Sequence, residues 1–230
     1  MARSYVHEAR RRVGPKRARI GPIVERLAAE HPDAVIALRF RSELELLISV
    51  MLSAQTTDVT VNRVTERLFE KYRRPEDYLG VPLAELEADV RPTGTFRQKA
   101  RNLRGAMQVL LEEYDGKVPT RIEELVRLPG VGRKTANLVL ILGHSSGENI
   151  CVDTHVHRIA NRLAWVQTRT PEETERALYK AAPRRWWPVI NLYLVTWGQN
   201  VCRPVYPRCG DCVVADDCPR IGVAHTGGRR

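Results

Sequence analysis

Four of the five cysteines in this 230-residue chain, Cys202, Cys209, Cys212 and Cys218, lie together between positions 202 and 218. A disulfide framework spreads its staples through a small secreted chain. Four thiols in one short segment with little apolar content suit a single metal centre instead, and such a loop folds by wrapping it. Reduced thiols place the chain in a reducing compartment. The spacing is C-x6-C-x2-C-x5-C, and only Cys209 and Cys212 have the short separation of a zinc knuckle. Wide, unequal loops wrap a bulkier iron–sulfur cluster more easily, so the spacing favours iron–sulfur while leaving zinc open. The fifth, Cys151, reads as a small buried hydrophobe.

Elsewhere the apolar residues recur at helical spacing, and strand alternation is almost absent. Leu44, Leu47, Ile48 and Met51 form one face, Val61, Val64 and Leu68 another, and Ala100, Leu103, Met107 and Leu110 a third. Further helices are expected at 132–143, 154–164, 172–181 and 188–200, with prolines between the segments. The fold class is all-α. No apolar run approaches the roughly 18–20 residues of a membrane span, and the charged start lacks the apolar core of an export signal.

Charge points to a polyanion. Lys and Arg number 37 against 27 Asp and Glu, a formal +10, and neutralising phosphates releases condensed counterions. The same excess also serves solubility, so charge alone does not decide. Part of it is local: Arg3, Arg10, Arg11, Arg12, Lys16, Arg17 and Arg19 face only Glu8. Residues 1–19 are read as a basic arm that holds DNA loosely or is disordered.

Two further segments carry chemistry. Leu128-Pro129-Gly130-Val131-Gly132-Arg133-Lys134-Thr135-Ala136 leads from a short helix around Ile122 and Leu125 into a longer one. Glycines allow a tight turn and close approach of an anion to helix-start amides, so this helix–hairpin–helix can grip a DNA phosphate without reading sequence. Leu128, Gly130, Val131, Gly132, Arg133 and Thr135 are the candidate DNA-binding residues. Lys134 is one more phosphate contact, or else a nucleophile. The helix end, Arg133 and partial burial would all disfavour its charged form, leaving an amine able to form a Schiff base. Asp153, in Val152-Asp153-Thr154-His155-Val156-His157, precedes a helical pattern and reads first as an N-cap. His155 and His157 are two apart and diverge on a helix, which argues against a metal pair.

Together the hairpin, the VDTH segment, Met51-Leu52-Ser53-Ala54-Gln55-Thr56-Thr57-Asp58 and the cysteine loop resemble the endonuclease III family of helix–hairpin–helix DNA glycosylases, from about Pro22 to Cys218. The resemblance implies two helical domains flanking a DNA-binding cleft. A six-helix domain would span 36–149, and residues 1–35 with 150–230 would form a discontinuous iron–sulfur domain. It implies one [4Fe–4S] cluster on the four cysteines, Lys134 as nucleophile and Asp153 as its assistant. The implied activity is that of a bifunctional DNA glycosylase/AP lyase. Its substrate is double-stranded DNA containing oxidised pyrimidines or abasic sites, and it works as a cytoplasmic, nucleoid-associated bacterial monomer. Gln55 matches the residue that fills the gap left by a flipped base. Thr95, followed by Phe96, stands where a bulky leucine is commonly the wedge, and a smaller polar wedge buries less surface between bases. Adenine-mismatch relatives lack the lysine and carry glutamate near Ser49, and thymine-mismatch relatives carry tyrosine at the lysine. A non-catalytic DNA-binding module with a structural metal is the alternative from another class.

Overall fold

The computed structural model describes residues 5–227, and every regular element among them is helical. In chain order these are α1 (Tyr5–Val13), α2 (Lys16–Glu30), α3 (Glu43–Leu52), α4 (Asp58–Lys71), α5 (Pro75–Leu79), α6 (Leu83–Val90), α7 (Phe96–Tyr114), α8 (Ile122–Leu125), α9 (Arg133–Gly143), α10 (Thr154–Arg162), α11 (Pro171–Ala181) and α12 (Trp187–Asn200). The all-α expectation holds. Local chemistry sets the starts. The side chains of Ser42, Thr57 and Thr170 each accept an amide of the first turn that follows, which satisfies a donor the helix itself cannot. Pro75 and Pro171 open α5 and α11, where a missing N–H costs nothing. No helix among the described residues is long and apolar enough to cross a membrane.

The chain divides into two compact units. One runs Ala37–Ser146 and holds α3 to α9. It has seven α-helical segments where six were expected, because the four-residue turn α8 counts as one. The long α7 is the spine of this unit, with α5 and α6 packed along it. Every residue of α3 from Leu46 to Leu52 is buried, as befits a helix enclosed by others. α3 packs on α9, so closely that a Cβ at Gly143 would lie 3.0 Å from Leu46 Cδ2.

The other unit takes the chain through Ile36 and again from Gly147 onward. Its core joins Ile20, Ile23 and Leu27 of α2 to Val156 and Ile159 of α10, Leu178 of α11, and Ile190 and Leu194 of α12. Cys202, Cys212 and Cys218 pack against the margin of that core, so the cysteine loop grows from a folded base.

The expected basic arm is corrected by this unit. Arg3 lies outside the described residues, but residues 5–13 and 16–19 are helical. Ala9 is buried, and the Tyr5 hydroxyl donates to Asn161 Oδ1 at 2.7 Å. Arg19 is buried as well, its Nη1 donating to Leu163 O at 3.0 Å and Asp217 O at 2.7 Å. Counting charges treats arginines as mutually repelling and solvated. A guanidinium that finds carbonyl acceptors and lays its stem on apolar surface escapes that count.

Candidate functional site

Leu128 and Val131 anchor the hairpin turn between α8 and α9. Both are buried, and Val131 N donates to Leu128 O at 3.0 Å. They therefore hold the turn rather than present side chains outward. Gly130 has φ +80°, and a Cβ there would fall 2.5–2.8 Å from the side chain of Asn102 on α7. Backbone conformation and crowding both require glycine. Gly132 differs: it is the N-cap of α9 with φ −91°, and nothing lies within 4 Å of where its Cβ would be. The start of α9 is thus open to an approaching group, with no side chain at Gly132 to close over it. Arg133 and Lys134 are exposed on the first turn and Thr135 is half-buried. The partial burial expected of Lys134 is absent, because the buried face of α9 begins only at Ala136.

Gln55 and Thr95 occupy two neighbouring loop tips in the same unit. Both are exposed, and both adopt left-handed backbone, with φ 56° and 42°, at a cost of roughly 1–2 kcal/mol each for a side chain of this kind. Phe96, half-buried, has the guanidinium groups of Arg91 and Arg97 at 5.8 and 5.3 Å from its ring centre. Lys99 joins the two loops. Only 6% exposed, its Nζ donates to Leu52 O and Thr93 O at 2.7 Å each and to Thr56 Oγ1 at 2.8 Å. Thr56 Oγ1 in turn donates to Thr93 O. Burial holds the Lys99 pKa below the ordinary lysine value. Sequence reading passed over Lys99, since nothing in one sequence distinguishes a buried lysine from an exposed one.

In the other unit Asp153 caps α10. Its Oδ1 accepts from His155 N at 2.8 Å and Val156 N at 2.9 Å, and the cap uses this oxygen alone. The carboxylate is half-buried. The two histidines part company as expected: His155 Nδ1 meets Arg158 at 3.1 Å, and His157 Nδ1 meets Thr174 Oγ1 at 2.6 Å. Cys151 is fully buried.

Cys202, Cys209, Cys212 and Cys218 line one pocket with Val201, Pro207, Ala215 and Val223, enclosing about 330 Å³ of atom-free space that is partly open to solvent. Among the described residues no three His, Cys, Asp or Glu side chains converge as a single-ion site. The four thiols border this one space. Arg162 braces the rim, donating to Cys202 Sγ at 3.3 Å, Arg203 O at 2.6 Å and Pro204 O at 2.8 Å. Burial pushes the Cys209 and Cys212 thiols up and Cys218 up to about 11. Thiolates here need a cation to offset their desolvation, so the donor set suits a metal centre.

Residues 48–184 match the family model of the HhH-GPD superfamily base excision DNA repair proteins. The fold and the hairpin thus define a helix–hairpin–helix base excision repair protein. The chain is 41% identical over 196 residues to endonuclease III of Thermotoga maritima, covering 85% of this chain and 88% of that one. It is equally 41% identical to endonuclease III of Bacillus subtilis, over 85% and 89% of the two chains. A solved structure of a trapped endonuclease III–DNA covalent intermediate, an estranged-adenine complex, aligns with TM-score 0.83 and 41% identity over 89% of this chain and 96% of that one. Within the superfamily, the chain belongs to the endonuclease III family of DNA glycosylase/AP lyases.

Proposed function

We propose that Lys134 and Asp153 carry the family's glycosylase and lyase steps in this chain, on duplex DNA containing oxidised pyrimidines or abasic sites. The observation that carries this reading is the placement of Lys134, exposed in the first turn of α9 beside an open glycine turn. A phosphate held on the Gly130–Gly132 backbone brings the adjoining sugar to that amine. A lesion that pairs poorly costs less to extrude from the stack. The neutral Lys134 amine forms a bond to sugar C1′ as the bond from C1′ to the base breaks, and the base leaves with the electron pair and a proton. Asp153 stabilises the positive charge that develops on the sugar and assists the proton transfer. Ring opening then gives an imine, and loss of a proton from C2′ expels the 3′ phosphate by β-elimination. A relative 41% identical to this chain has been trapped as a covalent intermediate with DNA, the kind of species an attacking lysine produces.

The four cysteines of the pocket would hold one [4Fe–4S] cluster, supported by their standing round a space and by the apolar walls between them. When bound, the cluster supplies a rigid core for a loop that has almost none of its own. The protein acts as a monomer in the compartment that holds the bacterial chromosome.

Borohydride trapping tests the nucleophile. Wild-type protein should be trapped covalently on a preformed abasic duplex and should incise a thymine glycol duplex in preference to undamaged DNA. Lys134→Gln should lose the adduct while still binding duplex through the hairpin backbone. An adduct at wild-type level from Lys134→Gln places the nucleophile elsewhere.

A further inference from the structure

Lys99 is buried and charged, and the reaction described above gives it no part. An ammonium has three protons to donate, and here all three acceptors are close: Leu52 O and Thr93 O at 2.7 Å, and Thr56 Oγ1 at 2.8 Å. Leu52 closes α3, and Thr93 closes the 3-10 turn Arg91–Thr93. Each helical segment therefore directs its negative end at the same Nζ, which compensates a cation taken out of water. Within three residues of each carbonyl acceptor the chain turns through a left-handed residue, Gln55 after Leu52 and Thr95 after Thr93. The Thr56 hydroxyl adds a second tie between the same loops by donating to Thr93 O.

We infer that Lys99 is a positioning residue whose ammonium clasps the Gln55 loop to the Thr95 turn and so fixes the span between two side chains that enter the DNA stack together. The inference rests on the proposed function and on the insertion roles that the family resemblance implies for Gln55 and Thr95. Extruding a base requires both insertions at once, at a separation set by the duplex. A preset span removes the ordering cost from that step. Removing the donor also strands Leu52 O in a buried place and leaves Thr93 O only the Thr56 hydroxyl, which loosens both loops at the same point.

The test separates base extrusion from the chemistry that follows. Lys99→Met keeps the stem and removes the donors. Its single-turnover excision of thymine glycol opposite adenine should fall at least tenfold. Borohydride trapping on a preformed abasic duplex, where no base has to leave the stack, should change by less than about threefold. Thr56→Val removes one acceptor and is the gentler variant should Lys99→Met fail to fold; it should show the same split with a smaller excision loss. Unchanged excision, or equal losses of excision and trapping, overturns the clasp. If wild-type protein neither excises nor traps, the assigned reaction fails, and amide hydrogen exchange then judges the clasp alone. Exchange at residues 53–57 and 93–95 should rise together in Lys99→Met relative to α9, and no such rise overturns the inference.

Discussion

Asp153 has one duty visible in the structure, capping α10, and a second that the proposed reaction assigns to it. Its Oδ1 takes both cap hydrogen bonds at the start of α10, and the charge of the whole carboxylate serves the proposed reaction. Asparagine is as good a cap as aspartate, whereas alanine loses about 1 kcal/mol of helix stability. Asp153→Asn should therefore melt within a degree or two of wild type and bind damaged duplex at least as well. Its single-turnover base excision should fall by roughly 10²–10³-fold, the scale for removing one preorganised electrostatic group. Asp153→Ala should show the same kinetic loss together with a lower melting temperature. If Asp153→Asn excises at the wild-type rate, the residue is a cap and nothing more. Sequence alone offers no means of choosing between these duties, because a cap and a catalytic carboxylate look alike at a helix start. The family resemblance supplied the second reading, and the cap itself engages Oδ1.

The hairpin is an element in which two glycines two positions apart do different work. Gly130 holds φ +80° against the side chain of Asn102, while Gly132 has ordinary backbone and open space about it. Gly130→Ala should cost stability, about 1–2 kcal/mol for the backbone conformation alone and more for the clash, of which Asn102→Ala should relieve only a part, because the Cβ at 102 stays 2.7 Å from the new methyl. Gly132→Ala should cost less, at most about 1 kcal/mol for an alanine N-cap, and yet weaken binding to undamaged duplex, since its new methyl projects where a phosphate would approach. Equal melting losses in the two variants would refute this division. Thermal unfolding and fluorescence anisotropy on the same preparations decide it. At this scale much was legible: helical spacing located α3, α4, α7 and α9 to α12, and the glycine pattern located the turn. The burial of Leu128 and Val131 was not, being a property of the tertiary fold, nor was the crowding at Gly130, which depends on Asn102 of α7, some thirty residues away in sequence. Lys99 escaped for the same reason, its acceptors lying on two segments that only the tertiary fold brings together.

Over the whole molecule, the N-terminal segment and the cysteine loop form one unit, and Arg19 is a direct tie between them. It donates to Asp217 O, next to Cys218, and to Leu163 O at the end of α10, while α2 supplies Ile20, Ile23 and Leu27 to the core against which Cys202, Cys212 and Cys218 pack. A charge count makes residues 1–19 an electrostatic accessory, for which deletion would only flatten the salt dependence of DNA binding. The packing makes a different demand. Without Arg19 the buried Leu163 carbonyl and the partly buried Asp217 carbonyl lose this donor, at roughly 1–3 kcal/mol where water cannot replace it, and the support beneath the last cysteine is loosened. The full-length protein should carry about four irons per chain, as a cubane requires. Removal of residues 1–19 should lower the melting temperature and hasten iron loss to a chelator, in addition to reducing the salt slope through the loss of Arg10, Arg11 and Arg12, which are exposed on α1. Arg19→Met, which keeps the other basic residues, should reproduce the stability and iron defects while leaving most of the salt slope intact. One zinc in place of the irons would overturn the cluster assignment. If iron is present and Arg19→Met retains it as firmly as wild type, the segment acts through charge alone, as its composition suggested.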